Sequence, residues 1–456
     1  MTLLLLILLW FVIPRWFKAW TRYRLGISQD CDVVGFFHPY CNSGGGGERV
    51  LWRAVHAINR SRAGKGRKIH VLIYTGDRDA KPADIVAKVQ SRFKIPVEAS
   101  VDFVYLVSRG MLEASRYPVF TMLGQSLGSM VVALEALLRA TPDIFFDSTG
   151  YAFSFVPARL LTRCLVGAYV HYPTISTDML SRVREKRPSY NNRAWVAQCG
   201  RVSTAKLVYY RAFALLYRLV GSLTDVVMVN SNWTFAHIES MWGIGKARVV
   251  FPPCDTSEML AIPLTARRER IVLSLGQFRP EKDHILQLNS LLELHKLGKE
   301  FQDVELVMLG SCRGAQDEAL VESLKKHAKE MGLAESVKFV LNCSFEELQD
   351  WLARASVGIH TMWNEHFGIG VVEMMAAGMV TVAHRSGGPQ CDIIQDGKTG
   401  YLAVTPGEYS SALRAAFSDE EAASAMRQAA RATTERFSCQ QFDTHFTKAF
   451  APLLKN

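Results

Sequence analysis

The chain has 456 residues, 49% hydrophobic and 21% charged, with 53 Lys and Arg against 43 Asp and Glu. That composition excludes disorder, collagen and coiled coil, and the length is about three times the ~150-residue domain prior, so two or three folded domains are expected. The net charge of +10 suits an anionic membrane, a phosphate ligand or nucleic acid, and chooses among none of them.

Met1 to Pro14 carries no charge, and Arg15, Lys18, Arg22 and Arg24 follow, interleaved with Trp16, Trp20 and Tyr23. As a helix the run Leu3–Ile13 spans about 16 Å at ~1.5 Å per residue, short of the ~30 Å hydrocarbon core unless it continues to Trp20 and Arg15 and Lys18 snorkel. The segment reads as a short span or an interfacial anchor, with a buried first helix as the alternative. A cleavable signal would carry its charges ahead of the apolar stretch and a small-residue site behind it, and this segment has neither. The positive-inside rule then sets the collar and all that follows on the cytosolic side. Nine scattered cysteines without C-x-x-C spacing agree with a reducing compartment. There the glycosylation patterns at Asn59, Asn232 and Asn342 are expected to stay unmodified.

From Val33 onward short apolar runs alternate with helical patterns, as in α/β layering with strands buried on both faces. Strands are predicted near Val33–Phe37, Ile69–Tyr74, Val101–Val107, Val119–Met122, Ile144–Asp147, Leu165–Val170 and Asp225–Val229. A second series is predicted near Ile271–Leu275, Val304–Leu309, Val337–Leu341, Val357–His360, Val380–Ala383 and Gly400–Leu402, followed by helices to the end. A proline-broken stretch from Phe251-Pro-Pro-Cys-Asp to Ile262-Pro-Leu-Thr-Ala-Arg-Arg separates the series. The expected organisation is an anchor and collar (1–27) and two Rossmann-like doubly wound domains (28–255 and 256–425). C-terminal helices (426–456) are candidates to pack back on the first domain. The predicted helix Lys206–Ser222 carries Tyr209, Tyr210, Phe213 and Tyr217 beside Lys206, Arg211 and Arg218, which suits either a membrane interface or a core helix with a basic face.

Asn42-Ser-Gly-Gly-Gly-Gly-Glu-Arg-Val follows the first strand and opens a helix, so Gly44, Gly45, Gly46 and Gly47 can bring backbone amides against an anion. It is neither a Walker loop nor a G-x-G-x-x-G fingerprint, because no Lys-Ser/Thr follows and position 49 is Arg49. A flexible turn is the other reading. In the second half Arg279 and Lys282 stand at the exit of a strand, where two cations can hold a diphosphate and take up the charge that develops as it leaves. Asn364-Glu-His-Phe-Gly-Ile-Gly-Val-Val-Glu then spaces Glu365 and Glu373 by seven intervening residues. Glu373 lies within a helix, where a carboxylate can bind a ribose hydroxyl pair, and Glu365 lies just outside it. Ser386-Gly-Gly-Pro adds a further amide-bearing turn.

These motifs resemble glycosyltransferase family four, retaining transferases of the two-Rossmann GT-B architecture whose signature is this glutamate pair with the upstream Arg and Lys. Within that family, Phe37-His-Pro-Tyr-Cys-Asn-Ser-Gly-Gly-Gly-Gly-Glu-Arg-Val-Leu-Trp, Tyr74-Thr-Gly-Asp, Leu123-Gly-Gln-Ser-Leu-Gly-Ser, His171-Tyr-Pro-Thr-Ile-Ser and Met362-Trp-Asn-Glu-His-Phe-Gly-Ile-Gly-Val-Val-Glu are similar to members of the dolichol pathway. Those members move mannose from GDP-mannose in α-1,2 linkage onto a trimannosyl dolichol-diphosphate oligosaccharide. The resemblance implies that Arg279 and Lys282 grip the GDP diphosphate, that Glu373 binds the ribose, and that Glu365 with the amides of Phe367, Gly368 and Ile369 binds the mannose. It makes His171 the histidine beside the donor sugar and closes the Gly44–Gly47 loop on the donor across a cleft.

It further implies addition of the fourth and fifth mannoses at the cytosolic face of the endoplasmic reticulum, contact with membrane lipid, and other mannosyltransferases of the pathway as candidate partners. Retention by a front-face route, in which the leaving phosphate takes the acceptor proton, needs positioning and charge stabilisation rather than a separate base. No metal or other cofactor is expected, and Asp77-Arg-Asp79 is a lookalike of a metal clamp. Gly124-Gln-Ser-Leu-Gly128 is formally a nucleophile elbow, which would make the chain a membrane-anchored serine hydrolase acting through Ser126. A non-catalytic nucleotide-sugar-binding scaffold is a third reading. Nucleic-acid binding is not expected, since no basic groove motif with stacking aromatics is present.

Overall fold

The computed structural model describes residues 2–62, 67–97, 100–175, 179 and 200–454, with backbone alone for 2–11, 62 and 200–205. The chain divides into two units, Met1–Phe251 with Phe442–Asn456, and Pro252–Gln441.

The first unit is built on a parallel sheet of β1 (Cys31–Phe37), β2 (Lys68–Thr75), β3 (Val101–Tyr105), β4 (Ile144–Asp147), β5 (Leu165–Val170), β6 (Val226–Val229) and β7 (Ala247–Val249), in the order β3-β2-β1-β4-β5-β6-β7. β4 is Ile-Phe-Phe-Asp with every residue buried, as a central strand covered by helices on both faces requires. The strand order reverses between β1 and β4, whose register pairs Phe37 with Asp147. The residues that follow these two strands therefore emerge side by side, where α/β sheets place their ligands.

Two expectations fail here. Val119–Met122 is not a strand: Val119 and Phe120 are exposed and Met122 lies in the helix Thr121–Arg139. A four-residue apolar run has no period of its own, and the helical spacing downstream extends through it. β7 went unforeseen because three partly exposed residues carry no detectable pattern. On Gly200–Gly221, Tyr210, Phe213 and Tyr217 are buried in the core, whereas Val208, Leu215, Leu216 and Leu219 are exposed.

The chain's last segment completes this unit. Phe442, Phe446 and Phe450, four residues apart on the helix Cys439–Phe450, pack with Tyr169 and Phe146 at ring distances of 6.5, 5.6 and 5.4 Å. Burying each Phe contributes about 1.5–3 kcal/mol. A side chain at Gly167 would meet Leu453 at 2.8 Å, so β5 needs glycine at the contact. Arg53 clamps the segment with a two-pronged bond to Asp443 at 2.7 and 2.6 Å. Residues 426–441 stay with the second unit.

At the other end, the helix Thr2–Leu25 is fastened by its collar. Arg22 is buried, pairs with Asp143, and donates to the carbonyls of Ser28 at 3.0 Å and Cys31 at 3.1 Å. Arg24 donates to the Arg139 carbonyl, so these two cations of the predicted membrane collar face protein instead.

The second unit repeats the plan with β8 (Glu269–Leu275), β9 (Glu305–Gly310), β10 (Val337–Leu341), β11 (Ala355–His360), β12 (Val380–His384) and β13 (Tyr401–Ala403). The order is β10-β9-β8-β11-β12-β13, all parallel, with the reversal between β8 and β11.

Candidate functional site

In the second unit the loops leaving β8 and β11 emerge beside each other, since Ser274 pairs with Ile359 in register. The β8 loop is fixed first by a close backbone approach. Gly276 N–H donates to the Leu309 carbonyl at 3.0 Å, and a Cβ on Gly310 would fall 1.6 Å from the Gly276 carbonyl oxygen. Phe278 is buried and stacks on His284 at 5.1 Å. The loop then turns at Pro280–Lys282, leaving Arg279 exposed and Lys282 partly buried. Thr361, just past β11, ties the loops together by donating its hydroxyl to the Lys282 carbonyl at 2.7 Å and accepting from Gln287 Nε2 at 3.0 Å.

This tether brings Lys282 Nζ to 2.5 Å from Glu365 Oε2, the oxygen that also lies 3.1 Å from His360 Nε2. The Glu365 segment is gripped from behind by Ser386-Gly-Gly. Asn364 N–H donates to Ser386 Oγ at 2.7 Å, Gly388 N–H donates to the Glu365 carbonyl at 2.7 Å, and a Cβ on Gly387, at φ +63°, would lie 2.2 Å from that carbonyl. Phe367 is buried, Gly368 turns at φ +108°, and the helix Ile369–Ala376 begins, with Glu373 half-buried as its fifth residue.

Burial would raise the Glu365 carboxyl, but the Lys282 ammonium and the His360 hydrogen bond hold it well below the ordinary carboxylate range. Burial lowers His360 and keeps its ring neutral against the pull of Glu365. His284 is pushed from 6.5 to about 4, by burial first and then by the charges of Lys282 and His360. His384 is lowered by burial, and its Nδ1 lies 2.8 Å from Ser386 Oγ. A fixed cation and an ionised carboxylate thus stand together beside three neutral imidazoles at the carboxyl ends of β8, β11 and β12.

The first unit gathers its own polar set where β1, β4 and β5 end. His38 is buried, with Nδ1 2.9 Å from Ser148 Oγ and Nε2 3.4 Å from Glu48 Oε1. Glu48 also accepts from Gly45 N–H, an arrangement that caps the helix Gly46–Arg62 from within. Burial works against its charge, yet His38 and that amide lower its pKa. His171 donates Nε2 to the Ser148 carbonyl at 3.1 Å, its own carbonyl accepts from Asn230 Nδ2 at 2.9 Å, and a Cβ on Gly47 would sit 3.8 Å from its ring. The structure therefore brings His171 and the glycine loop together, and adds His38, Glu48, Ser148 and Asn230. Asp147 is fully buried, and burial raises it to about 6 against hydrogen bonds from Thr149 and Gly150.

Other candidates fall elsewhere. Asp77 is occupied by Arg109 at 2.5 Å and by Asn42 N–H at 2.9 Å, so it braces the glycine loop. Among the described residues no group of three or more His, Cys, Asp or Glu is placed to hold a metal ion. Ser126 is buried inside the helix Thr121–Arg139 and not at a strand-to-helix turn, which removes the elbow.

Residues 31–242 match the family described as ALG11 mannosyltransferase N-terminus, and residues 255–433 match glycosyl transferases group 1. A Xenopus laevis protein named GDP-Man:Man(3)GlcNAc(2)-PP-Dol alpha-1,2-mannosyltransferase is 44% identical over 99% of this chain and 94% of its own. The Homo sapiens protein of that name is 44% identical over 93% of this chain and 87% of its own. Among solved structures, sucrose-phosphate synthase from Thermosynechococcus elongatus has a TM-score of 0.65 at 16% identity, covering 92% of this chain and 99% of that one. Anabaena Alr3699/HepE in complex with UDP and glucose has a TM-score of 0.60 at 15% identity, covering 92% and 100%. With two parallel-sheet Rossmann-like units, these likenesses give the GT-B fold.

Proposed function

The chain belongs to the GDP-Man:Man(3)GlcNAc(2)-PP-Dol alpha-1,2-mannosyltransferase family, and from that premise we propose how its residues carry the reaction. It is a retaining α-1,2-mannosyltransferase that takes mannose from GDP-mannose to the trimannosyl dolichol-diphosphate oligosaccharide, adding the fourth and fifth mannoses. Arg279 and Lys282 meet the donor diphosphate, Glu373 the ribose, and Glu365 with the amides of Phe367, Gly368 and Ile369 the mannose hydroxyls. The observation that carries this assignment is the 2.5 Å contact between Lys282 and an ionised Glu365 at the sheet's switch point.

In the reaction the anomeric carbon–phosphate oxygen bond breaks, the acceptor's hydroxyl oxygen bonds to that carbon on the same face, and the departing phosphate takes the hydroxyl proton. Lys282 and Arg279 stabilise the charge growing on the diphosphate, which assigns the countercharge to the protein rather than to a metal. Gly44–Gly47 and His171 are further donor-binding residues.

We place the enzyme at the cytosolic face of the endoplasmic reticulum membrane. Support comes from the helix Thr2–Leu25 and from an apolar face on the first unit. Leu127, Val131, Leu134 and Leu138 are exposed on the outer side of Thr121–Arg139, a helix long and apolar enough to span a bilayer. Its inner side, Val132, Ala133, Ala136 and Leu137, is core, so it suits lying on a membrane better than crossing one. Incubating the purified protein with labelled GDP-mannose, UDP-sugars and a lipid-diphosphate trimannosyl acceptor tests the whole reading. Two added mannoses from GDP-mannose only is the expected product, and no transfer would leave a scaffold role in its place.

A further inference from the structure

At the amino ends of β8 and β11, roughly 20 Å from the Lys282–Glu365 pair by the rise of a seven-residue strand, three arginines crowd together. Arg268 donates to the carbonyls of Leu352, Ala355 and Ala377, and Arg431 to those of Leu260 and Ile262. Those acceptors are neutral and leave the cations uncompensated. Arg268 accordingly falls to about 10, through burial first and then repulsion from Arg427 and Arg431. Glu420, the carboxylate that pairs with the cluster, is largely exposed and bonds Arg427 at 2.5 Å. Arg427 itself is 5% exposed, and its Nε, like those of Arg268 and Arg431, is buried with no acceptor.

Arg268 and Arg427 line a cavity of about 340 Å³ together with Arg267, Ser356, Glu420, Ser424 and Gln428. Its volume is at the lower end for small-molecule sites. We propose that this cavity binds a phosphate group, with the guanidiniums on its oxygens and the serine hydroxyls and Gln428 amide on hydroxyls of an attached polyol. A dianion there supplies the acceptors that the buried Nε atoms of Arg268 and Arg427 lack, and countercharge beyond that of the exposed Glu420. A sugar phosphate and inorganic phosphate share this chemistry, and the cavity has room for either. The site lies on the far side of the sheet from the donor residues, so its occupant need not compete with GDP-mannose.

The test uses the full chain in detergent with GDP saturating the donor site, so that added phosphate reads the second site alone. The thermal midpoint is followed against inorganic phosphate and, separately, a hexose 6-phosphate, with chloride at matched ionic strength as the control. A saturable rise with either ligand is expected, and the more potent one identifies which source fills the site. Ser424→Asp puts a carboxylate on the cavity wall three residues before Arg427 on the same helix. It should raise the half-saturating concentration at least tenfold while sugar transfer stays at the wild-type level. Arg427→Gln should do the same, and Ser424→Asp decides the matter if Arg427→Gln does not fold. No saturable rise beyond chloride, or an unchanged half-saturation in Ser424→Asp, overturns the proposal.

Discussion

His360 and Lys282 converge on one oxygen of Glu365, at 3.1 and 2.5 Å. The neutral imidazole has one proton, and its Nδ1 is buried without a partner, so that proton sits on Nε2 and points at the carboxylate. Tyr409 Oη donates to the His360 carbonyl at 2.9 Å and fixes the strand end that carries the ring. His360 is therefore a positioning residue for Glu365.

A hydrogen bond to a charged group is worth about 1.5–3 kcal/mol. His360→Ala is expected to lower kcat roughly ten- to a hundredfold, with a smaller change in KM for GDP-mannose. The acid limb of the pH–rate profile should also move upward, because Glu365 loses a donor that stabilises its charge. Steady-state kinetics across pH read both effects, and an unchanged acid limb would show that the ring only fills space.

Lys282→Ala and Glu373→Ala should each lower transfer by orders of magnitude with the fold retained. Loss of one preorganised charge stabiliser typically costs about 10²–10³ in kcat. The two variants differ in their second effect. Lys282→Ala leaves a mostly buried carboxylate with the His360 hydrogen bond but without its countercharge, a local cost of up to about 3–5 kcal/mol, and should lower the melting temperature, whereas Glu373→Ala should weaken GDP binding with little change in melting. Calorimetry and GDP titration separate them, and near-normal turnover in either would sink the donor-site assignment.

The two sheets were legible because buried parallel strands are apolar throughout, so Ile144–Asp147, Leu165–Val170 and Val337–Leu341 fall where the runs lie. The reach of Lys282 to Glu365 was not, since it depends on Thr361 binding the Lys282 carbonyl across 79 residues of chain. His360, His284 and His384 are hidden for a similar reason. Each sits alone in sequence at a strand end or helix start, and only the β8–β11–β12 adjacency collects them. A signal was present in three histidines each flanking a predicted second-series element. The partner of Arg22 is equally invisible in composition, which does not say that Asp143 waits beside it.

His284 gives the second unit a pH dependence of definite sign. Its folded-state pKa of about 4 lies below the ordinary 6.5, so as pH falls between these values the unfolded chain binds a proton that the folded one does not. Stability contributed by the neutral ring is full above about 6.5 and lost toward 4, by about 3 kcal/mol at ~1.4 kcal/mol per unit. Glu365 acts in the same direction from 4.5 downward, overlapping the His284 window only at its acid end, while the lowered His360 and His384 add to the loss below 6.5. His284→Phe, which keeps the stack on Phe278, should make the fall in unfolding free energy between pH 6.5 and 4.5 shallower in denaturant titrations. An equal slope in the variant would assign the loss to other groups.

The exposed leucines of the first unit make the membrane reading testable apart from the N-terminal helix. Leu127 and Leu138 are 51% exposed and share a face with Val131 and Leu134, while the opposite face is core. Val208, Leu215, Leu216 and Leu219 continue the apolar surface on Gly200–Gly221. The two helices touch there, with Phe120 against Tyr209 at 5.2 Å and Leu123 N–H donating to Tyr209 Oη at 3.2 Å. Arg218, in the last turn of Gly200–Gly221, and Arg139, paired with Glu135 at 2.8 Å, would on this reading meet anionic headgroups. Burying each leucine in a bilayer is worth about 1.5–3 kcal/mol, so Leu127→Glu with Leu138→Glu should weaken vesicle binding at least a hundredfold. The same variant should transfer poorly to a lipid-linked acceptor in vesicles yet bind GDP and melt as the wild type does, because its core face is untouched. Unchanged vesicle binding and transfer would mean that this face meets something other than lipid, and that Thr2–Leu25 alone holds the enzyme to its membrane.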